Sequence, residues 1–232
     1  MMFIKICGIT SEEDALLAVA MGATAVGFVF APSPRQVAPQ IASDIAKRLP
    51  PEVITVGVFR DEVPQRVSDV AHAAGLRAVQ LHGHETPDMA KWLKTRVPMV
   101  IQAFSAGDIR VRRAGEYGVD AVLLDAPSPG SAQLFDWSLA AEVPAGQRVI
   151  VAGGLDSTNV ERAIAQTGCW GVDVSSGVES RPGTKDPIKV RAFIQAAQRG
   201  FAAIGDASFE ELAGDEPALE PATDVYDWQE DQ

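Results

Sequence analysis

Eight short apolar runs recur along the chain, and helix-like segments separate most of them. The runs span residues 3–7, 25–30, 53–59, 77–82, 98–103, 119–125, 148–152 and 170–174. Apart from their ends they are nearly continuous in apolar side chains, which is typical of strands in a parallel sheet buried on both faces. Apolar residues at helical spacing predict helices over 12–21, 63–73, 156–167 and 187–199, whereas residues 138–142 predict only a short one.

This alternation places the chain in the α/β class. Eight strand-plus-helix units favour a (β/α)8 TIM barrel, in which right-handed crossovers surround eight parallel strands with outer helices. An open doubly wound sheet is the alternative. We expect residues 1–204 to form a single barrel domain. Residues 205–232 are rich in Ala, Pro, Asp and Glu and lack basic residues, so they are expected to form a disordered acidic tail.

The net charge of −11 belongs to this tail. All 20 Lys and Arg residues precede residue 200, and ten of the 31 Asp and Glu residues lie within 200–232, which leaves the body with a net charge of −1. No basic stripe points to a nucleic-acid partner. No apolar run is long enough to cross a membrane, and Lys5 interrupts the first apolar stretch, so we expect a cytoplasmic protein without a signal peptide.

The cysteines and histidines form no metal pattern. Cys7 and Cys169 are far apart and show no CxxC spacing, and the three histidines do not combine with them into a zinc motif. We therefore expect no structural metal and no disulfide framework. Cys169 is expected to be structural, and His72 and His84 to be ordinary helix and loop residues.

Three polar side chains stand at the carboxyl ends of predicted strands and on their inward faces. Cys7 shares a face of the first strand with Lys5 and Phe3, His82 ends the fourth strand, and Asp125 ends the sixth. In a barrel these ends meet at one mouth, where a thiol and a carboxyl make a plausible base and acid pair. Taken singly, Cys7 also fits an inert small hydrophobe, Asp125 a loop cap or an Arg partner, and His82 a satisfied core residue.

Two late loops have the composition of an anion site. Residues 152–155 read Ala-Gly-Gly-Leu after the seventh strand, and residues 174–177 read Val-Ser-Ser-Gly after the eighth. Glycines expose backbone N–H groups and serines add hydroxyl donors, so the loops together favour phosphate binding. Arg35, in the loop after the second strand, has a planar fork suited to a carboxylate, although a solvated surface Arg is the alternative.

Taken together, the segments resemble the phosphoribosylanthranilate isomerase family, a group of barrel enzymes of tryptophan biosynthesis. They follow the family order from residue 3 to about residue 199. The matching stretches are Lys5-Ile-Cys-Gly-Ile-Thr10, Gly27-Phe-Val-Phe30, Ser33-Pro-Arg35, Gln80-Leu-His-Gly83, Leu123-Leu-Asp125, Phe135-Asp-Trp137, Ala152-Gly-Gly-Leu155, Gly171-Val-Asp-Val-Ser-Ser-Gly-Val-Glu179, Pro182-Gly183 and Lys185-Asp186.

The resemblance implies a cofactor-independent aldose–ketose isomerisation, the Amadori rearrangement of N-(5-phosphoribosyl)anthranilate to 1-(2-carboxyphenylamino)-1-deoxyribulose 5-phosphate. It implies that Asp125 is the general acid, that Cys7 is the general base, and that Arg35 holds the anthranilate carboxylate. The remaining implied contacts to this small phosphorylated substrate are His82, Gly154, Asp173, Ser175, Ser176 and Gly177. A monomer or a homodimer is expected.

One loop departs from the family pattern. Before Phe-Asp-Trp the family has a Gly-Thr-Gly-Lys-like stretch, and here residues 130–134 read Gly-Ser-Ala-Gln-Leu, so Gln133 replaces the basic residue. Two other interpretations stay open. The chain could be another sugar-phosphate isomerase or epimerase barrel, or a catalytically silent barrel that acts through its acidic tail.

Overall fold

The computed structural model describes residues 2–126 and 136–213, with side chains as far as residue 205. Eight parallel strands close into a barrel in chain order, and the last strand pairs with the first. This confirms the predicted (β/α)8 class over the open sheet. The strands are β1 (Phe3–Cys7), β2 (Ala25–Val29), β3 (Ile54–Phe59), β4 (Ala78–Leu81), β5 (Met99–Ser105), β6 (Ala121–Asp125), β7 (Val149–Val151) and β8 (Gly171–Val174).

Six α-helices surround the barrel in the described part of the chain, and 3-10 helices connect the other units. The α-helices are α1 (Glu12–Ala20), α2 (Pro39–Ala46), α3 (Pro64–Ala73), α4 (Pro87–Lys94), α5 (Val160–Thr167) and α6 (Pro187–Ala213). The 3-10 helices span Ile109–Tyr117, Trp137–Glu142 and Ser176–Val178. A short antiparallel hairpin, β9 (Glu179–Arg181) with β10 (Thr184–Lys185), lies between β8 and α6.

Local sequence signals account for most helix starts. Ser11 and Thr86 accept hydrogen bonds from the backbone N–H groups three residues on, which caps α1 and α4. Proline occupies the first position of α2, α3, α4 and α6, where its missing N–H costs no hydrogen bond. No described helix is long and apolar enough to cross a membrane.

Two helix boundaries differ from the sequence predictions. Helix α5 begins at Val160 rather than at residue 156, because the Asp156 carboxylate accepts from the Thr158 N–H (2.7 Å) and holds residues 156–159 in a turn. Helix α6 extends past the expected domain boundary at 204/205 and ends at Ala213. The rest of the expected tail, 214–232, and the divergent loop 130–134 lie outside the described residues.

The barrel interior is apolar at its base and polar towards its mouth. Phe3, on the inward face of β1, is buried and stacks on Trp170, with ring centroids 4.9 Å apart. Lys5, the next inward residue, is fully buried and reaches polar groups across the barrel. Cys7 follows at the mouth, so the predicted alternation of β1 holds and the strand presents its thiol at the carboxyl end.

Candidate active site

The carboxyl ends of the strands surround a cavity of about 200 Å³. Residues from six of the eight strands or the loops that follow them line it, which is the arrangement that barrel enzymes use for catalysis. The predicted site residues among them are Cys7, Arg35, His82, Asp125, Asp173 and Ser175.

Cys7 ends β1 with 7% of its surface exposed. Gly27 on β2 makes room for it, because a Cβ at that position would lie 2.8 Å from the Cys7 Sγ. Burial raises the pKa of the Cys7 thiol to about 11, although the nearby charges of Lys5 and Lys185 act in the opposite direction. A general base works better with a lowered thiol pKa, so the protein groups around Cys7 do not by themselves activate it.

Asp125 ends β6 and is fixed from two sides. Its Oδ1 accepts a hydrogen bond from the Ala126 N–H (2.8 Å), and its Oδ2 lies 3.2 Å from the His82 Nε2. Gly153 leaves space for this carboxylate, because a Cβ there would lie 2.8 Å from Asp125 Oδ1. The acid candidate therefore has a single position, between β4 and the loop after β7.

A chain of hydrogen bonds determines the ring tautomer of His82. The Lys5 ammonium donates to Gln80 Oε1, which turns the Gln80 amide nitrogen towards His82 Nδ1 at 2.8 Å. Because that amide nitrogen only donates, Nδ1 must accept and the ring proton must lie on Nε2. His82 therefore donates to Asp125. Both ring nitrogens have protein partners, as in the alternative of a satisfied histidine, but the ring lies at the cavity with 24% of its side chain exposed rather than in the core.

Lys5 and Asp173 form a buried ion pair below the cavity. The Lys5 Nζ lies 3.1 Å from Asp173 Oδ2, and both residues are more than nine-tenths buried. Burial by itself lowers the pKa of Lys5, but the charges of Asp173 and its neighbours raise it above the ordinary value. Asp173 Oδ1 is buried and has no hydrogen-bond partner within the described structure, so it can accept from a ligand hydroxyl or N–H.

The two late loops meet beside the same cavity. Gly153 and Gly154 adopt positive φ of 78° and 64°, and a Cβ at Gly177 would lie only 2.0 Å from the Leu155 carbonyl oxygen. The loops can approach this closely only because Gly177 has no side chain. They enclose a second, smaller cavity of about 60 Å³, whose lining shares Asp125, Asp173 and Ser175 with the larger one.

The predicted phosphate residues line this second cavity. Gly154, Ser175, Ser176 and Gly177 all contribute to it, and the Ser175 Oγ is buried without a hydrogen-bond partner in the described structure. An orphaned hydroxyl at a glycine-rich turn suits an anionic ligand, which would accept its proton.

Arg35 lines the larger cavity rather than facing solvent. Its Nε and Nη2 donate to the two carboxylate oxygens of Glu179 at 2.8 and 2.7 Å. Only 16% of the Arg35 side chain is exposed. The solvated alternative for Arg35 is therefore wrong, and the structure adds Glu179, which no sequence signal marked as functional.

The other polar candidates lie elsewhere. His72 on α3 lies 3.4 Å from the Ser68 hydroxyl, and the exposed His84 lies 3.3 Å from Asp61. Cys169 is buried just before β8. No cluster of three metal-binding side chains occurs in residues 2–126 and 136–213.

Comparison with known proteins assigns the chain to a family. The family model described as N-(5'-phosphoribosyl)anthranilate (PRA) isomerase matches residues 4–196. The chain belongs to the N-(5'-phosphoribosyl)anthranilate isomerase family. Members of this family are isomerases of tryptophan biosynthesis, as the resemblance implied.

Relatives within the family are similar over most of their length. The N-(5'-phosphoribosyl)anthranilate isomerase of Desulforudis audaxviator is 48% identical over 208 residues, which cover 87% of this chain and 100% of that protein. The isomerase of Thermotoga neapolitana is 47% identical over 204 residues, covering 85% and 99% of the two chains.

Solved structures of family members share the barrel. The phosphoribosylanthranilate isomerase of Thermus thermophilus superposes with a TM-score of 0.80 at 41% identity, covering 85% of this chain and 99% of its own. A second isomerase, in complex with reduced 1-(o-carboxyphenylamino)-1-deoxyribulose 5-phosphate, superposes at 0.76 and 41% identity, covering 86% and 100%. For the Thermotoga maritima isomerase, which is dimeric, monomers have been generated and solved.

Proposed function

We propose that this protein catalyses the Amadori rearrangement of N-(5'-phosphoribosyl)anthranilate, with Asp125 as general acid and Cys7 as general base. The observation that carries the proposal is that Cys7 and Asp125 line one cavity, next to a smaller glycine- and serine-lined cavity, in a chain of this family. The two cavities match a substrate with a reacting sugar and a phosphate at one end.

The first step requires a proton on the ring oxygen of the ribose. Asp125 protonates that oxygen, the bond between it and C1 breaks, and the nitrogen lone pair forms an iminium at C1. The hydrogen bonds from His82 Nε2 to Oδ2 and from the Ala126 N–H to Oδ1 hold the Asp125 carboxyl group in position for this transfer.

The second step removes the C2 proton. The iminium withdraws electrons from C2, so a modest base suffices, and Cys7 takes that proton to leave an enolamine. Cys7 returns a proton to C1 while the C2 hydroxyl loses its proton to the Asp125 carboxylate, which turns the enolamine into the ketone, restores both groups and leaves no net gain or loss of protons or electrons. Burial raises the pKa of the Cys7 thiol, and the positive charge of the Lys5 ammonium acts in the opposite direction by favouring the thiolate that removes the C2 proton.

Substrate anions are held at two places. Gly154, Ser175, Ser176 and Gly177 bind the phosphate, and the buried Ser175 hydroxyl, which has no protein partner in the described structure, donates to it. Arg35 holds the anthranilate carboxylate. His82 and the free oxygen of Asp173 face the sugar between these two points.

The test uses substrate formed from anthranilate and ribose 5-phosphate, with turnover followed by the loss of anthranilate-type fluorescence. We expect Cys7→Ser and Asp125→Asn each to lower kcat by about 10² to 10⁴-fold, which is the usual size of an acid–base contribution. Cys169→Ser, the same exchange at the other buried cysteine, should keep kcat. Deuterium at C2 of the sugar should slow Cys7→Ser more than the unsubstituted protein, because proton removal then limits the rate.

Two results would reject the proposal. A folded protein without turnover would favour the silent barrel, and turnover of other sugar phosphates in preference would favour a related isomerase or epimerase. Unchanged kinetics in Cys7→Ser or Asp125→Asn would remove that residue from the mechanism while leaving the activity intact.

A further inference from the structure

Two buried charged residues, Glu179 and Lys185, lie behind Arg35 and have no part in the proton transfers described above. Glu179 accepts two hydrogen bonds from Arg35, and its Oε1 also accepts one from the Lys185 Nζ at 2.9 Å. The side chains of Glu179 and Lys185 are 4% and 0% exposed. Burial alone would raise the pKa of Glu179, but Arg35 and Lys185 hold it below the ordinary value, so Glu179 is ionised at neutral pH.

Lys185 connects this cluster to the strand ends that form the site. Besides Glu179, its ammonium donates to the Cys7 carbonyl oxygen (2.6 Å) and to the Ser175 carbonyl oxygen (3.3 Å). All three ammonium protons therefore have acceptors. One buried side chain thus fixes the backbone of the base candidate, the backbone of the phosphate loop and the partner of Arg35.

The β9–β10 hairpin supplies both residues and is itself anchored to the loop after β1 and to the first turn of α1. Glu179 and Lys185 are paired across it. The Thr10 hydroxyl donates to the Gly183 carbonyl oxygen (2.5 Å), and the Lys185 N–H donates to Asp14 Oδ2 (3.0 Å). The hairpin therefore cannot shift independently of the barrel mouth.

The stem of Arg35 is also confined. A Cβ at Gly8, which has φ of 77°, would lie 2.5 Å from the Arg35 Cδ. The side chain thus packs onto a glycine at the end of β1, while its Nε and Nη2 are taken by Glu179. Its Nη1 takes no part in that two-bond contact, so it can donate to a ligand from a fixed position.

We propose that Glu179 and Lys185 are positioning residues that aim the Arg35 guanidinium at the substrate carboxylate. Glu179 fixes the plane of the guanidinium, so Nη1 is already oriented towards the substrate carboxylate. Less side-chain conformational entropy is then lost when the substrate binds. Lys185 holds Glu179 and offsets its charge, so that Glu179 does not cancel the attraction of Arg35 for an anion. This inference rests on the proposed role of Arg35 in substrate binding.

The test compares two substrates that differ only in the carboxylate. N-(5'-phosphoribosyl)anthranilate contains the group that Arg35 would bind, and the matching compound made from aniline and ribose 5-phosphate lacks it. We expect Glu179→Gln to lower kcat/KM about 30-fold for the first compound, mainly through KM, and less than about 3-fold for the second. The amide presents N–H groups to Arg35 in place of one acceptor and breaks the two-bond contact.

Two further variants control this result. Glu179→Asp keeps the charge but shortens the side chain by one methylene, so it should lose an intermediate part of the preference. Glu116→Gln makes the same exchange in an exposed pair, where Glu116 accepts from the Arg113 Nε and Nη2 at 2.8 and 2.7 Å. It should change neither substrate. Inhibition by ribose 5-phosphate reports on the phosphate loops and should stay constant in all variants.

The outcomes separate this inference from the proposed function. If Arg35→Met lowers the preference for the carboxylated compound but neither Glu179 variant does, the positioning role is wrong and the proposed function stands. If the Glu179 variants impair both compounds equally, their role is only structural and the inference is also wrong. If the unsubstituted protein converts neither compound, or if Arg35→Met leaves the preference unchanged, the proposed function or its carboxylate contact has failed first.

Discussion

The protonation of Cys7 can be tested through the stability of the protein as a function of pH. Burial raises the pKa of this thiol from 9.0 to about 11 in the folded protein. Below pH 9 the thiol is protonated in both the folded and the unfolded state, so it contributes no pH dependence. Above pH 9 the unfolded chain ionises first and binds fewer protons, and the free energy of unfolding therefore falls as pH rises.

The size of the effect follows from the two pKa values. Each unit corresponds to about 1.4 kcal/mol, so the full loss is roughly 2.7 kcal/mol above pH 11, and at pH 10 it is about 1.4 kcal/mol. Replacing Cys7 by Ala removes this contribution. Burial also raises the pKa of Cys169, but that group is present in both proteins, so its contribution cancels in the comparison.

The assay is urea unfolding of the unsubstituted protein and of Cys7→Ala at pH 7.5 and pH 10. We expect the unsubstituted protein to lose about 1.4 kcal/mol more than the variant between these two values. Alkylation of Cys7 by iodoacetamide in a Cys169→Ser background gives an independent reading, since its rate should keep rising beyond pH 10. Equal losses in the two proteins, together with an alkylation rate that levels off near pH 8, would show that the resting thiol is already activated.

Two substitutions test the packing around the site. Gly177→Ala should raise KM for the phosphorylated substrate at least about 10-fold, because its Cβ would lie 2.0 Å from the Leu155 carbonyl oxygen and force the two phosphate loops apart. Gly115→Ala, where a Cβ meets nothing within 4 Å, is the control, and an unchanged KM in Gly177→Ala would contradict the loop geometry. Lys5→Met should lower the free energy of unfolding by about 3 to 5 kcal/mol, since it leaves the Asp173 carboxylate buried without its cation. Urea unfolding measures this, a loss below about 1 kcal/mol would count against a charged pair, and Lys5→Met with Asp173→Asn should recover part of the stability.

The barrel and the positions of its acid and base candidates were accessible from sequence because both depend on local periodicity. A strand alternates its side chains, so the inward placement of Cys7 and Asp125 followed from counting residues back from the strand ends. The predicted strand limits agree with the observed ones within about two residues, because the apolar side chains stop where each strand leaves the buried interior.

The support behind those residues was not accessible, because it depends on contacts between distant segments. Glu179 and Lys185 lie on strands of three and two residues, which are too short to show any periodicity. The contact between Gly177 and Leu155 joins two loops that the sequence marks only as glycine-rich. The helix predicted over 187–199 was ended too early: the first proline after Pro187 is Pro217, and α6 continues to Ala213.

The bond from Lys185 to the Cys7 carbonyl spans 178 positions of the chain. A nascent polypeptide that has completed seven strands still lacks both the eighth strand and the ammonium that secures the first. The candidate site is consequently complete only after Lys185 has been synthesised, although its base candidate belongs to the first strand. This contact between the two ends of the barrel could be used in a split reporter. Two separately expressed fragments, one with Cys7 and the other with Lys185, are expected to show turnover only after they have reassembled.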